Sequence, residues 1–145
     1  MLEVMKALMK SKDTCVLATV SGQEPHCSLM SYAVSDDCRE VYLMTSRNTR
    51  KYENLLANPA VSLLVDTREE SSPAGRSHTK ALTVRGTFQR IDRAEEKLPI
   101  KNRLLERHPD LAAFAENPDT EFFAVRVKSF QLLDGITDSS FVALD

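Results

Sequence analysis

The sequence has no tryptophan, only four glycines and three cysteines, and no apolar run longer than a few residues. Each scarcity excludes something. No stretch approaches the roughly 18 consecutive apolar residues of a membrane-spanning helix. The N-terminal segment is broken by Glu3, Lys6 and Lys10 before the core of a signal peptide could form, so a cytoplasmic protein without membrane contact is expected. Cys15, Cys27 and Cys38 are odd in number, lie eleven or more residues apart and form no CxxC pair, with only His26 adjacent to one of them. That spacing argues against structural zinc and for small buried hydrophobes plus one surface thiol, with no metal site expected. The few glycines form neither GxGxxG nor a Walker pattern, which disfavours a nucleotide held by either loop. Nineteen basic against twenty-one acidic residues give a net charge of -2, too balanced for a general affinity for nucleic acid or anionic lipid. Any anion site must be local.

What is present fits one globular domain, residues 1–145, with 42% apolar residues to build a core. Leu2, Met5, Leu8 and Met9 recur at helical spacing and predict a short amphipathic helix ending near Ser11. Residues 15–20 and 25–34 read as two strands joined by a turn at Gly22, followed by strands over 40–45 and 60–66, the latter nearly all apolar and so central. Between them a short helix is framed by Thr49 as N-cap, an apolar stripe of Tyr52, Leu55 and Leu56, and Pro59 as its stop. Residues 67–79 are polar throughout, either a lid or a disordered excursion, with the lid as the expectation.

Residues 80–91 alternate Leu82, Val84, Gly86 and Phe88 against polar neighbours, a long strand in which Gly86 marks a bulge or a bend. Asp92 to Glu95 has capping-box spacing and opens a helix running towards His108, with Pro99 as a kink and 109–115 as a further turn or two. The last strand, 121–133, carries Phe123, Val125 and Val127 on one face and Phe130 and Leu132 after a slip. Strands run together with helices inserted between them, which points to an α+β antiparallel barrel or sandwich rather than a Rossmann sheet.

The stretch Thr45-Ser46-Arg47-Asn48-Thr49-Arg50-Lys51 is electrostatically odd, because Arg50 and Lys51 fall in the first turn of a helix. Cations there oppose the helix dipole by about 0.3–1 kcal/mol each. An anion resolves the conflict: free amides, the Thr49 hydroxyl and two cationic side chains would together hold a phosphate. Two solvated cations at a tolerable surface cost are the less favoured alternative.

The runs Val41-Tyr-Leu-Met-Thr45, Thr49-Arg50-Lys51 and Asn54-Leu-Leu-Ala-Asn58-Pro59-Ala-Val61-Ser-Leu63 resemble, without a gap, the pyridoxamine 5'-phosphate oxidase-like family of FMN-binding split barrels. Val84-Arg85-Gly86, the late strand Phe122-Phe123-Ala124-Val125 and the order of strands extend the resemblance over most of the chain. It implies a six-stranded antiparallel split β-barrel of Greek-key type with short flanking helices. It also implies a homodimer in which each FMN lies in a groove formed by both subunits. Carried over, it makes Arg50 and Lys51 ligands of the FMN phosphate, with Thr45, Ser46 and Thr49 in the same anion pocket. His26, Cys27, Ser28, Leu29, Met30 and Ser31 would run along the ribityl chain and the ring, offering backbone donors and acceptors.

Departures from the family pattern matter for activity. His26 and Ser31 stand where true pyridoxamine phosphate oxidases carry Arg and Lys, Ala81 stands where they carry a flavin-contacting glutamine, and their C-terminal tryptophan and arginines are absent. Vitamin B6 oxidation is therefore not expected, and no catalytic side chain is assigned. The reading is an FMN-dependent oxidoreductase acting on an unidentified small molecule with a nicotinamide or another small reductant as electron donor. A non-catalytic flavin- or haem-binding protein of the same fold is the alternative, and an interaction module with an empty groove is the third.

Histidines are read by their surroundings. His26 could reach the flavin, though a surface histidine is the simpler account, and His78 could meet a substrate carboxylate or haem iron but reads more simply as a solvated loop residue. His108 is a helix C-terminal residue without chemistry. Thr83, Arg85 and Thr87 read as interface or solvent groups, and the pairs Glu69-Glu70 and Glu95-Glu96 carry no acid/base work because adjacent side chains diverge on a helix.

Overall fold

The computed structural model describes residues 1–70 and 75–145. Its elements are α1 (Leu2–Ser11), β1 (Thr14–Ser21), β2 (Glu24–Ser31), β3 (Ala33–Val34), β4 (Glu40–Ser46), α2 (Arg50–Ala57), β5 (Ala60–Asp66), β6 (Lys80–Arg90), α3 (Ala94–Arg107), α4 (Ala112–Glu116), β7 (Thr120–Asp134) and β8 (Asp138–Ala143). Short 3-10 turns cover Arg68–Glu70, Gly75–His78 and Pro109–Leu111. The remainder of the expected lid lies outside the described residues.

All strands join one antiparallel sheet in the order β2-β1-β5-β6-β7-β4-β3, with β8 added to β7. β2 and β3 are one extended stretch interrupted at Tyr32: its first part pairs with β1 and its second with β4, so it links the two ends of the order. The result is a curled α+β sheet, consistent with a split barrel, of eight strands among the described residues rather than the six expected. The extra count has two physical sources. Tyr32 leaves the ladder and splits one expected strand in two, and Gly135, with φ of 72°, turns the chain back so that β8 pairs with the end of β7.

Alternation puts Leu17, Leu43, Leu63, Leu82, Val84, Phe123 and Phe130 inside, where each is fully buried. Burial of a side chain of this size contributes about 1.5–3 kcal/mol. Met5 and Met9 of α1 join this core, as their helical spacing predicts. A second cluster, including Ile91, Ile100, Leu104 and Phe122, lies between the sheet and α3.

The expected bulge occurs between Arg85 and Gly86: Arg85 faces Ser129 while Gly86 faces Val127, leaving Lys128 as the extra residue of β7. This is the slip that moves the inward face from Val127 to Phe130. Glycine is required here because a Cβ on Gly86 would stand 2.5 Å from the carbonyl oxygen of Arg126.

Two local readings are corrected. The buried stripe of α2 is Tyr52, Asn54 and Leu55, and Leu56 is 48% exposed. Asn54 takes the inner place because its Nδ2 donates to Thr19 Oγ1 of β1 at 3.1 Å. The capping box before α3 is not made: Arg93 is the N-cap without a side-chain bond, and Asp92 accepts instead from Arg90 Nε at 2.7 Å.

Candidate functional site

The local chain dictates where the cations go. Thr49 is the N-cap of α2: its Oγ1 accepts from the Tyr52 amide at 3.3 Å and donates to the Ser46 carbonyl at 2.9 Å. The same hydroxyl lies 3.5 Å from Thr45 Oγ1, so the end of β4 and the start of α2 are stitched by hydroxyls. Tyr52 packs edge-on against Phe88 at 6.1 Å between centroids, and with the Asn54–Thr19 bond this fixes the rotation of α2 about its axis. Ser46 is engaged too, its Oγ accepting from the Asn48 amide at 3.3 Å.

That rotation separates the two cations. Lys51 lines a cleft of about 270 Å³ together with Leu29, Met30 and Ser31 of β2 and Thr45 of β4. Arg50 is exposed and lies outside the lining of the cleft. Lys51 is half-buried, and burial pulls its ammonium pKa below the ordinary value. Among the described residues it has neither an ion pair nor a hydrogen bond, and the amides of Arg50 and Lys51 likewise have no acceptor. First-turn amides project out of the helix start. A half-buried cation without a counter-charge, beside two free amides, is chemically able to accept an anion.

β2 contributes through its edge. Among the described residues it pairs with β1 alone, so alternate N–H and C=O groups along 24–31 have no ladder partner there on the other side. The expected strip 26–31 is shared between two faces: Met30 is buried, His26 and Ser28 are half-buried, and Cys27 and Leu29 are exposed. Only Leu29, Met30 and Ser31 reach the cleft, and His26, opposite Thr19, lies about 16 Å along the strand from Ser31.

The structure adds a wall not identified from the sequence. Met44 of β4, Leu111 of the 3-10 turn and Phe114 of α4 complete the cleft, adding apolar side chains to its lining. Leu111 and Phe114 are three apart, a visible apolar edge, but nothing local indicates what that edge faces.

Other candidates fall outside the cleft. His78 is exposed at the end of its 3-10 turn, Arg85 faces outward from β6, and Glu69 and Glu70 both pair with Lys12. His108 is buried with Nε2 3.0 Å from the Tyr32 carbonyl. The thiols divide as expected: Cys15 and Cys38 are buried and Cys27 is exposed, with burial pushing the Cys15 pKa up to about 12. Among the described residues no helix is long and apolar enough to cross a membrane.

Comparison with known proteins gives a consistent picture. The family model described as Pyridoxamine 5'-phosphate oxidase matches residues 1–134. A Schizosaccharomyces pombe protein named as a pyridoxamine 5'-phosphate oxidase homolog is 33% identical over a segment covering 50% of this chain and 45% of its own length. A haem-binding protein from Mycobacterium smegmatis superposes with a TM-score of 0.82 at 16% identity, over 96% of this chain and 57% of that one. A FAD-binding protein from Mesorhizobium loti superposes with a TM-score of 0.73 at 21% identity, over 91% of this chain and 93% of its own. The chain thus spans about half the length of the first two, and the solved structures share its fold.

Proposed function

We propose, from the premise that this chain belongs to the pyridoxamine 5'-phosphate oxidase family, that it is a homodimeric FMN-binding protein serving redox chemistry on a small molecule. The observation that carries this reading is Lys51: half-buried, without a counter-charge, and facing a cleft that also holds Thr45 and the free edge of β2. The cleft combines the Lys51 cation and the Thr45 and Ser31 hydroxyls with the apolar side chains of Leu29, Met44, Leu111 and Phe114. That combination suits a ligand that carries both a phosphate and a flat ring.

In this reading Lys51 and the first-turn amides of α2 hold the phosphate, with Arg50 adding charge from the rim. Thr45 and Thr49 fix the geometry of the helix start, and unpaired β2 backbone groups meet the polar edge of the ring. Bound flavin supplies two-electron transfer, while the chain's residues supply position, charge and exclusion of water. Ser31, half-buried in the cleft, offers a hydroxyl where a pyridoxamine phosphate oxidase would carry a lysine, so a substrate other than vitamin B6 is proposed.

A second reading, a flavin- or haem-binding protein without turnover, is favoured by the likeness to the M. smegmatis haem-binding protein. The absorbance spectrum of the protein as purified, followed by titration with FMN and with haem, separates the two. Flavin bands that NADH or NADPH bleaches faster than free FMN, under anaerobic conditions, support the first. Flavin bands bleached no faster than free FMN, or a Soret band, support the second. Absence of binding to both ligands overturns both.

A further inference from the structure

Strand pairing builds a second concavity on the outer face of the sheet, from residues that the cleft does not use. The register sets Ala18 beside Ser62, Ser62 beside Arg85 and Arg85 beside Ser129, one residue from each of β1, β5, β6 and β7. Three of the four are small, so the row is hollow around Arg85. The bulge then inserts Lys128 next to Ser129, and bulges redirect side chains in this way. The outcome is a cavity of about 410 Å³, larger than the cleft at Lys51 and within the size range of small-molecule sites.

Its chemistry is one-sided. Arg85 and Lys128 are exposed, no carboxylate lines the cavity, and neither cation has an ion pair or side-chain hydrogen bond among the described residues. Ser129 is only 7% exposed, yet its hydroxyl has no hydrogen-bond partner among the described residues. Among those residues no fully buried side-chain oxygen is left unpaired, so this hydroxyl opens onto the cavity. Ala18, Val20 and Ala60 supply an apolar floor.

We propose that this cavity binds a small organic anion. Its carboxylate or phosphate group is held by Arg85, Lys128 and the Ser129 hydroxyl, and its apolar body rests on Ala18, Val20 and Ala60. Charge-assisted hydrogen bonds from two cations give the affinity for the anionic group, and the floor selects an apolar body over a free inorganic ion. Within one chain no residue of this site lines the cleft at Lys51.

The test is calorimetry on the full chain carrying Lys51→Gln, so that the flavin cleft does not compete, with naphthalene-2-carboxylate, 2-naphthyl phosphate and the uncharged naphthalene-2-carboxamide. Both anions should bind saturably at one site per chain, and the carboxamide about tenfold more weakly or worse. Adding Arg85→Gln or Lys128→Gln should weaken the anions by about tenfold each. Because both residues are exposed, the variants should keep the melting profile of their parent; if one fails to fold, the other decides. Equal binding of carboxylate and carboxamide, full retention in both variants, or no saturable binding would each overturn the proposal. Loss of self-association in Arg85→Gln without anion binding would assign the cations to a contact between copies of the chain instead.

Discussion

His108 Nε2 lies 3.0 Å from the main-chain carbonyl oxygen of Tyr32, joining the end of α3 to the interruption between β2 and β3. A carbonyl can only accept, so Nε2 carries the hydrogen. The other polar groups of Tyr32 are also met: its amide donates to the Asp13 carbonyl at 3.0 Å and its hydroxyl to the Met9 carbonyl at 2.7 Å. A residue that leaves a sheet loses its ladder partners, and here a helix end and the α1–β1 junction replace them. The histidine assigned no chemistry thus holds the strand break next to Ser31 of the cleft.

Replacing His108 with Ala should leave the buried Tyr32 carbonyl without a donor. We expect a loss of about 1–3 kcal/mol in urea unfolding, with part recovered in His108→Gln, which keeps an N–H donor. Wild-type stability in the Ala variant would show that the contact contributes nothing.

Lys51→Ala should remove one charge-assisted contact to the FMN phosphate, about 1.5–3 kcal/mol, and weaken FMN by about tenfold or more. Riboflavin, which lacks the phosphate, should bind weakly to both proteins with no change between them. Fluorescence quenching of the two flavins reads the difference; a variant that loses riboflavin equally points to damage of the cleft rather than loss of a phosphate ligand.

The same lysine predicts a pH effect on the ligand-free protein. Its folded pKa is depressed by burial below the ordinary 10.5, so over the window between the two values the unfolded chain binds more protons. Stability of the wild type relative to Lys51→Met should therefore rise as pH climbs through that window towards 10.5. A gap that is constant or widens against the wild type would show that Lys51 is not desolvated.

Of the three cysteines only Cys27 is exposed, and burial raises the thiols of Cys15 and Cys38. The thiolate is the reactive form, so a thiol reagent at neutral pH should titrate one group quickly in the native protein and all three in denaturant. Cys27→Ser should abolish the fast phase. A fast phase that survives would assign the reactive thiol to Cys15 or Cys38, exposed by local opening.

Self-association is expected if the flavin groove is built from two chains. Sedimentation at micromolar concentration should give a dimer. A monomer that still holds FMN tightly would sink this prediction, because half of each proposed groove would be missing.

Features governed by near neighbours along the chain were legible in the residues themselves. Thr49 caps α2, Gly22 turns the first hairpin, Gly86 marks the bulge, and the exchange of faces after Val127 in β7 all follow from periodicity, caps and glycine placement. These depend on backbone geometry over a few residues, which local sequence specifies. The cations at the start of α2 were visible for the same reason, as a conflict with the helix dipole.

Tertiary structure decided which neighbour each face meets. Leu56 is turned outward because Asn54 reaches Thr19, thirty-five residues away. Tyr32 breaks a strand because His108, seventy-six residues away, supplies a donor. Rotation of α2 puts Lys51 in the cleft and leaves Arg50 outside, and Leu111 and Phe114 become its wall only when α4 packs there. A local pattern records that a side chain is apolar or charged; the partner that satisfies it is chosen by packing across the chain, where a one-residue change of register or a partial turn of a helix exchanges every contact.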